Sequence, residues 1–379
     1  MKKFLLLYIL LNCSVLSAQN RYDSLVTAGI KQIYNIKFPQ AESTFKQVIK
    51  EYPQHPSGYF FDAMTIWWKI LLDIENEKYD DLFLEKLDKV IDFCDEILDK
   101  DPNNADAIFF KGGSLGFRGR LYAVRESWIK AALDGKDALP LVKKAYLANP
   151  KNIDVQLGFG IYNYLAEVIP INYPFVKPLI AFLPKGNKEK GIKQLNYAAT
   201  KGKYAKYESI YFLSTLYYTF EHDYTKSMEW IDILRKEFPD NPRFHVLEGR
   251  IWVKKNNYAA ATNVFRQVLQ KHYQGFVGYN DKTKRESFYY IGMNFKNNGI
   301  YDSAKVYFEM CEQLSKRLDK KNDSGFRVNS ALFLGNIYDI TGSRDKAKKK
   351  YDEVLDLDEF GQSHELAERY LKRAYDGSN

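Results

Sequence analysis

The chain has 379 residues, 45% of them hydrophobic and 27% charged, a globular balance that argues against a disordered tract, a collagen-like repeat or a multi-span membrane protein. Its formal charge of +8 is dispersed, with Asp and Glu between the Lys and Arg as on solvated helix faces, so no electrostatic track for nucleic acid is expected.

Residues 1–18 read as a signal peptide. Lys2 and Lys3 precede the apolar run Phe4 to Leu11, and Ser17-Ala18-Gln19 offers small residues for cleavage after Ala18. The run is too short to span a bilayer of about 30 Å. Cys13 raises lipidation as an alternative, but it follows Asn12, where a small residue is the rule. Cleavage would lower the charge to +6 and leave Cys94 and Cys311, both on apolar helix stripes; buried core positions are expected for them rather than a disulfide framework. His55, His222, His245, His272 and His364 show no paired spacing on one helix face, so no metal is implied.

After the leader, the first unit is placed near 22–55. Gly29 and Ala41 are 12 residues apart, followed by Phe45 and Pro53. The next two units, near 56–103 and 104–151, depart from that spacing. In the first, the second helix is expected only around Lys86 to Leu98, after the charged stretch Asp73 to Asp81. In the second, Gly112-Gly113 lies far from Ala138, with Gly116 to Leu133 between them. A fourth unit, near 152–204, could cross at Leu157-Gly158 or at Phe159-Gly160, with Gly191 and Leu195 opening its partner helix. Within it, residues 169–184 form an apolar insertion whose prolines, Pro170, Pro174, Pro178 and Pro184, forbid one straight helix. Such a loop must be covered by its own protein, by a partner or by a membrane surface.

From residue 205 the pattern is regular. Thr215 and Ser227 are 12 apart in the unit near 205–241. In the units near 242–283, 284–326 and 327–360, Gly249, Gly292 and Gly335 recur with a period of 43, and Ala261, Ala304 and Ala347 follow each by 12. An aromatic residue four further on, Phe265, Phe308 or Tyr351, completes each set. Each unit reads as two amphipathic helices joined by a short turn, with small residues at the helix crossing. The segment 361–375, with Leu366, Tyr370 and Leu371 on one stripe, reads as a cap for the apolar face of the last unit.

The order of Gly, an aromatic three residues on, Ala, an aromatic and a closing Pro resembles the tetratricopeptide repeat. The resemblance covers nearly all of the chain from Arg21 to Tyr375. It implies an all-α, right-handed α-α superhelix, a solenoid of about eight helix pairs with a C-terminal capping helix.

No chemistry-bearing motif emerges. Gly186 to Gly191 has phosphate-loop glycine spacing but continues Ile192-Lys193 where Lys and then Ser or Thr are needed, and Gly113-x-x-Gly116-x-x-Gly119 has no preceding strand. Asp80-Asp81 sits among charges rather than in apolar surroundings that would raise a pKa, and no serine lies in a nucleophile elbow. No catalytic residue, cofactor or enzymatic activity is predicted.

What remains is recognition, since repeats of this family usually hold a protein or peptide on the concave face lined by first helices. The candidate partner-binding residues are Arg118, Arg125 and Trp128, the four-residue series Phe212, Leu216 and Phe220, and Arg243, Arg250 and Lys254 at helical spacing. The Lys and Asn set with which some family members clamp a terminal carboxylate is not supplied by Tyr289, Met293, Leu332 and Asn336. The expected role is an exported scaffold, periplasmic or at an outer membrane, with a membrane-associated assembly factor, anchored by Cys13 or by the insertion, as the alternative.

Overall fold

The computed structural model describes residues 20–181 and 183–377. The expected leader and Cys13 lie outside the described residues. Among those residues every regular element is helical, and none of the helices is long and apolar enough to cross a membrane. The chain divides into two compact units, Met1–Asn241 and Pro242–Asn379.

The first unit contains five helical hairpins: α1 (residues 20–34) with α2 (Phe38–Glu51), α3 (Ser57–Leu72) with α4 (Asp80–Lys100), α5 (Ala105–Val124) with α6 (Trp128–Ala148), α7 (Val155–Asn172) with α9 (Lys188–Lys201), and α10 (Lys206–Thr219) with α11 (Tyr224–Glu237). A 3-10 turn, Pro174–Val176, and one helical turn, α8 (Lys177–Ile180), stand between α7 and α9. The second unit pairs α12 (Pro242–Lys254) with α13 (Tyr258–Tyr273), α14 (Asp281–Asn297) with α15 (Tyr301–Leu318) and α16 (Gly325–Ile340) with α17 (Arg344–Leu355), and α18 (Ser363–Lys372) packs on the last pair.

The crossing within a hairpin is a ring seated on a glycine. A Cβ at Gly249 would stand 2.8 Å from the Phe265 ring, and one at Gly292 would stand 3.0 Å from Phe308. Added carbons at Gly29 and Gly335 would enter the rings of Phe45 and Tyr351. Each ring lies 16 residues after its glycine, and Ala41, Ala261, Ala304 and Ala347, one turn before the ring, are completely buried. The small residue in the first helix therefore houses an aromatic knob rather than drawing two bare backbones together. In the α10–α11 hairpin, which lacks the pair, Ser214 and Ser227 donate hydroxyl hydrogen bonds to each other's carbonyls at 3.0 and 2.8 Å, and Ile231 takes the ring's place.

The turns repeat as faithfully as the crossings. Seven residues after Gly29, Thr215, Gly249, Gly292 and Gly335 stand Ile36, His222, Asn256, Gly299 and Gly342, all left-handed, with φ between 52° and 76°. Glu126 is left-handed too, at φ 56°, and counting back seven residues reaches Gly119. This corrects the register of the third hairpin. Gly119, not Gly112-Gly113, holds the template position, and Ala131 lies 12 residues beyond it, its carbonyl oxygen 3.4 Å from where a Gly119 Cβ would be. Gly116 to Leu133 is thus no interposed segment but the end of α5, its turn and the start of α6.

Two further expectations change. α4 begins at Asp80 rather than near Lys86, because Asp80 and Asp81 suit the positive end of a helix dipole. In the fourth hairpin Gly160 makes the crossing, with Leu195 and Gly191 against it, while Gly158 faces Val142 of α6. Cys94 and Cys311 are free and wholly buried, and burial pushes each thiol up to about 12, so neither is a ready nucleophile.

The cap is fastened by charge as well as packing. Arg344 donates to the Tyr370 and Leu371 carbonyls at 2.8 and 2.7 Å, at the negative end of α18, and holds fully buried Asp339 at 2.9 Å.

Two outcomes test the register. Gly292→Leu drives a side chain into the Phe308 ring and should cost about 1–3 kcal/mol in thermal or urea unfolding. Glu126→Gly relieves a left-handed residue on an exposed turn and should raise stability by about 1 kcal/mol, read as a higher Tm.

Candidate functional site

The third hairpin carries a second departure from the template. Sixteen residues after Gly119, where the other hairpins place a ring or a branched side chain, stands Gly135. A Cβ at Gly135 would meet nothing within 4 Å, and the same is true of Gly116, one turn before Gly119 on α5. The missing knob leaves a cavity of about 350 Å³ in the first unit, walled by α1, α3, α5, α6, α7, the start of α10 and the 169–184 insertion. Its lining is overwhelmingly apolar, with Ile33, Met64, Trp68, Leu139, Ile161 and Leu165 representative of the helices that form it.

One charged pair lies in the wall. Glu208, 5% exposed, accepts from Arg120 Nη1 at 2.6 Å and from the Tyr34 hydroxyl at 3.1 Å. The Arg120 guanidinium lies 5.0, 5.1 and 5.8 Å from the ring centroids of Trp67, Phe117 and Phe212, so cation–π contacts add to its pairing with Glu208. Burial, with Glu208 beside it, pushes the Tyr34 phenol well above its usual range, so it remains a donor. Asp154, also 5% exposed, stands just before α7, and its carboxylate accepts from the backbone N–H groups of Lys203, Tyr204 and Ala205 at 2.8, 3.1 and 3.1 Å.

The insertion closes one side. α7 continues through Pro170 to Asn172, so the irregular part is shorter than expected. The chain then turns back over the cavity, with Val176, Ile180 and Leu183 in the lining. Two bonds tie it to α7: the Tyr162 hydroxyl donates to the Pro184 carbonyl at 2.5 Å, and the Lys188 N–H to Glu167 at 2.8 Å. The other side of the segment faces outward, Ile171 being 68% and Phe175 59% exposed. Trp128 joins the two sides, lining the cavity while its ring lies 5.6 and 5.8 Å from Tyr173 and Phe175.

The other sequence candidates are distributed differently. Arg118 is bidentate to buried Asp134 at 2.9 and 2.7 Å and reaches Asp88 at 2.6 Å. Arg125 pairs with Asp80 at 2.5 and 2.9 Å and with the Ile74 carbonyl at 2.5 Å. Both charges are engaged in joining α5 to its neighbours. Phe212 and Leu216 are buried, and Phe220 lies 6.1 Å from the Tyr164 ring, so this series faces the packing between helices rather than an open groove. In the second unit Arg250 is bidentate to Glu286 at 2.5 and 2.6 Å, Arg243 is half-buried and Lys254 is exposed. Arg120, Glu208 and the two cavity glycines were not among the candidates. The readable signal was the 12-residue step from Gly119 to Ala131.

No family model matches the sequence, and no curated protein matches it. Among solved structures, the C-terminal part of a TPR repeat-containing protein from Cytophaga hutchinsonii aligns at 12% identity and a TM-score of 0.47, covering 77% of this chain and 99% of that one. Pseudomonas aeruginosa PilF aligns at 12% identity and 0.41, over 65% and 96% of the two chains. The human IFIT1 dimer with m7Gppp-AAAA aligns at 10% identity and 0.42, over 93% and 85%. The evidence lies in the internal register: small residue, left-handed turn and second small residue at fixed steps in six of the hairpins. The hairpins are tetratricopeptide-like. The family-like layout thus extends to the α5–α6 pair, where Gly135 stands in the ring's place and lines the cavity.

The ion pairs change what the double variant Arg118→Glu, Arg125→Glu should do. It strips buried Asp134 of its counter-charge and sets like charges against Asp88 and Asp80, so thermal unfolding should show a loss of about 3 kcal/mol or more. An unchanged melting curve would return both arginines to the status of solvated charges.

Proposed function

We propose that this protein is an exported, non-enzymatic scaffold that holds a protein partner on the first-helix face of its tetratricopeptide-like hairpins. The observation that carries the reading is the exposed apolar surface of Ile171 and Phe175, on the insertion that covers a face to which the first helices of four successive hairpins, α1, α3, α5 and α7, all contribute. A concave apolar site with few polar groups is the ordinary form of a binding site. Its rim is apolar and exposed at Ile171 and Phe175, which is how a recognition surface differs from a buried core. The leader supports export, and the charged groups of the wall, bonded to one another, have no acid–base partner to offer a substrate.

The second reading, association with a membrane surface, is favoured by a separate observation. The exposed tip of the insertion carries Ile171, Tyr173 and Phe175 next to exposed Lys177, the pairing of apolar and basic groups that suits a lipid interface.

Affinity recovery from the organism's own envelope fraction tests the scaffold. The wild-type chain should recover one dominant partner, and Phe175→Asp, at an exposed position, should lose it with no change in Tm. Recovery that is equal with both proteins would remove this face from the interface. Sequencing the amino terminus of the exported chain tests processing, and Gln19 is the expected first residue.

A further inference from the structure

We infer that the cavity of the first unit takes up a single saturated acyl chain of a monoacyl lipid, entering past the apolar tip of the insertion. The inference shares with the scaffold reading only the assignment of this face as the binding face. Its size sets the cavity apart from a packing defect. Interiors hold few voids larger than a water molecule, whereas about 350 Å³ falls in the range of ligand pockets. Walls of this kind stay dry and admit apolar guests, as smaller engineered cavities do.

The polar groups of the wall select among such guests. Glu208 is occupied by Arg120 and Tyr34, Asp154 by three backbone N–H groups, Tyr162 by the Pro184 carbonyl and Tyr204 by Asp23. The Trp67 Nε1–H is a wall donor without a partner among the described residues, but a peptide entering the cavity would bring a series of amides that this donor and the occupied groups do not satisfy, and each unpaired amide is costly to bury. An alkyl chain brings none. The Arg120–Glu208 pair carries no net charge, so a charged headgroup has nothing to gain inside and belongs at the mouth. There the exposed side chains suit a lipid surface: Ile171 and Phe175, the latter against the lining residue Trp128, with exposed Lys177 next to them in the chain. Gly116 and Gly135 supply the smooth wall, since neither position projects a side chain into the space.

The test is calorimetric titration of the full chain with monoacyl phosphocholines from octanoyl to tetradecanoyl, each below its critical micelle concentration. Binding should saturate at one lipid per chain, tighten about fourfold per added methylene and stop tightening once the cavity is full. Gly116→Leu with Gly135→Leu fills the space from positions where a Cβ meets nothing within 4 Å and adds helix formers. It should weaken binding at least tenfold with Tm unchanged or raised. No saturable binding by the wild type, or the same affinities and chain-length dependence in the filled variant, would overturn the inference. So would binding of an unacylated apolar peptide in place of the lipids, an outcome that leaves the scaffold reading standing. Lipid binding together with partner recovery indifferent to Phe175→Asp would uphold the inference and sink the scaffold reading.

Discussion

An aromatic ring seated on a glycine is the contact on which the regular hairpins depend. Two helices joined by a short turn have little to fix their crossing unless a side chain of one enters a gap in the other. Here the gap is a missing Cβ, and the ring reaches it from 16 residues downstream, across a turn with a left-handed residue at a constant place. Ring, gap and turn fix one another. That is why the spacing persists while the residues around it change, and why serines bonded to each other's carbonyls can serve the same crossing in the α10–α11 hairpin.

The same rule explains the cavity. In the α5–α6 hairpin both template positions are glycines, Gly119 and Gly135; the helices cross closely where Gly119 meets Ala131 and Asp134, and the space beside Gly135 stays open. Neighbouring structure compensates in two ways. Arg118 grips Asp134 on the facing helix with two hydrogen bonds, and the insertion lays Val176, Ile180 and Leu183 over the opening. A hairpin that keeps the template's steps but lacks its ring is thereby the one that offers a site.

Legibility in the sequence followed the same division. The 43-residue period and the 12-residue step stood out wherever Gly, Ala and a ring occur together, and there the helix pairs and the cap stand where the pattern put them. At α5–α6 no ring stands 16 residues after Gly119, so nothing in the sequence marks Gly119 and Ala131 over Gly112-Gly113 and Ala138 as the crossing. The candidate site was less readable still. Arg120 and Glu208 are 88 residues apart and meet only because α5 and α10 share the cavity, a fact no local pattern encodes. Arg118 and Arg125 looked like a free basic cluster because their partners, Asp134, Asp88 and Asp80, lie on other helices. Charge on a helix face says what a residue offers, and only the neighbouring helices say whether the offer is already taken.

The carboxylate of Asp154, at the entry to α7, closes a segment of the chain. By gathering the N–H groups of Lys203, Tyr204 and Ala205, it ties together the two ends of a segment that contains α7, the insertion and α9. The segment is a closed loop with a single knot at its base. Because loop-closure entropy grows only slowly with length, such a loop can be lengthened or shortened at its tip with little strain passed to the flanking hairpins. A change of length there alters the segment that covers the cavity and leaves the frame that shapes the rest of its wall in place.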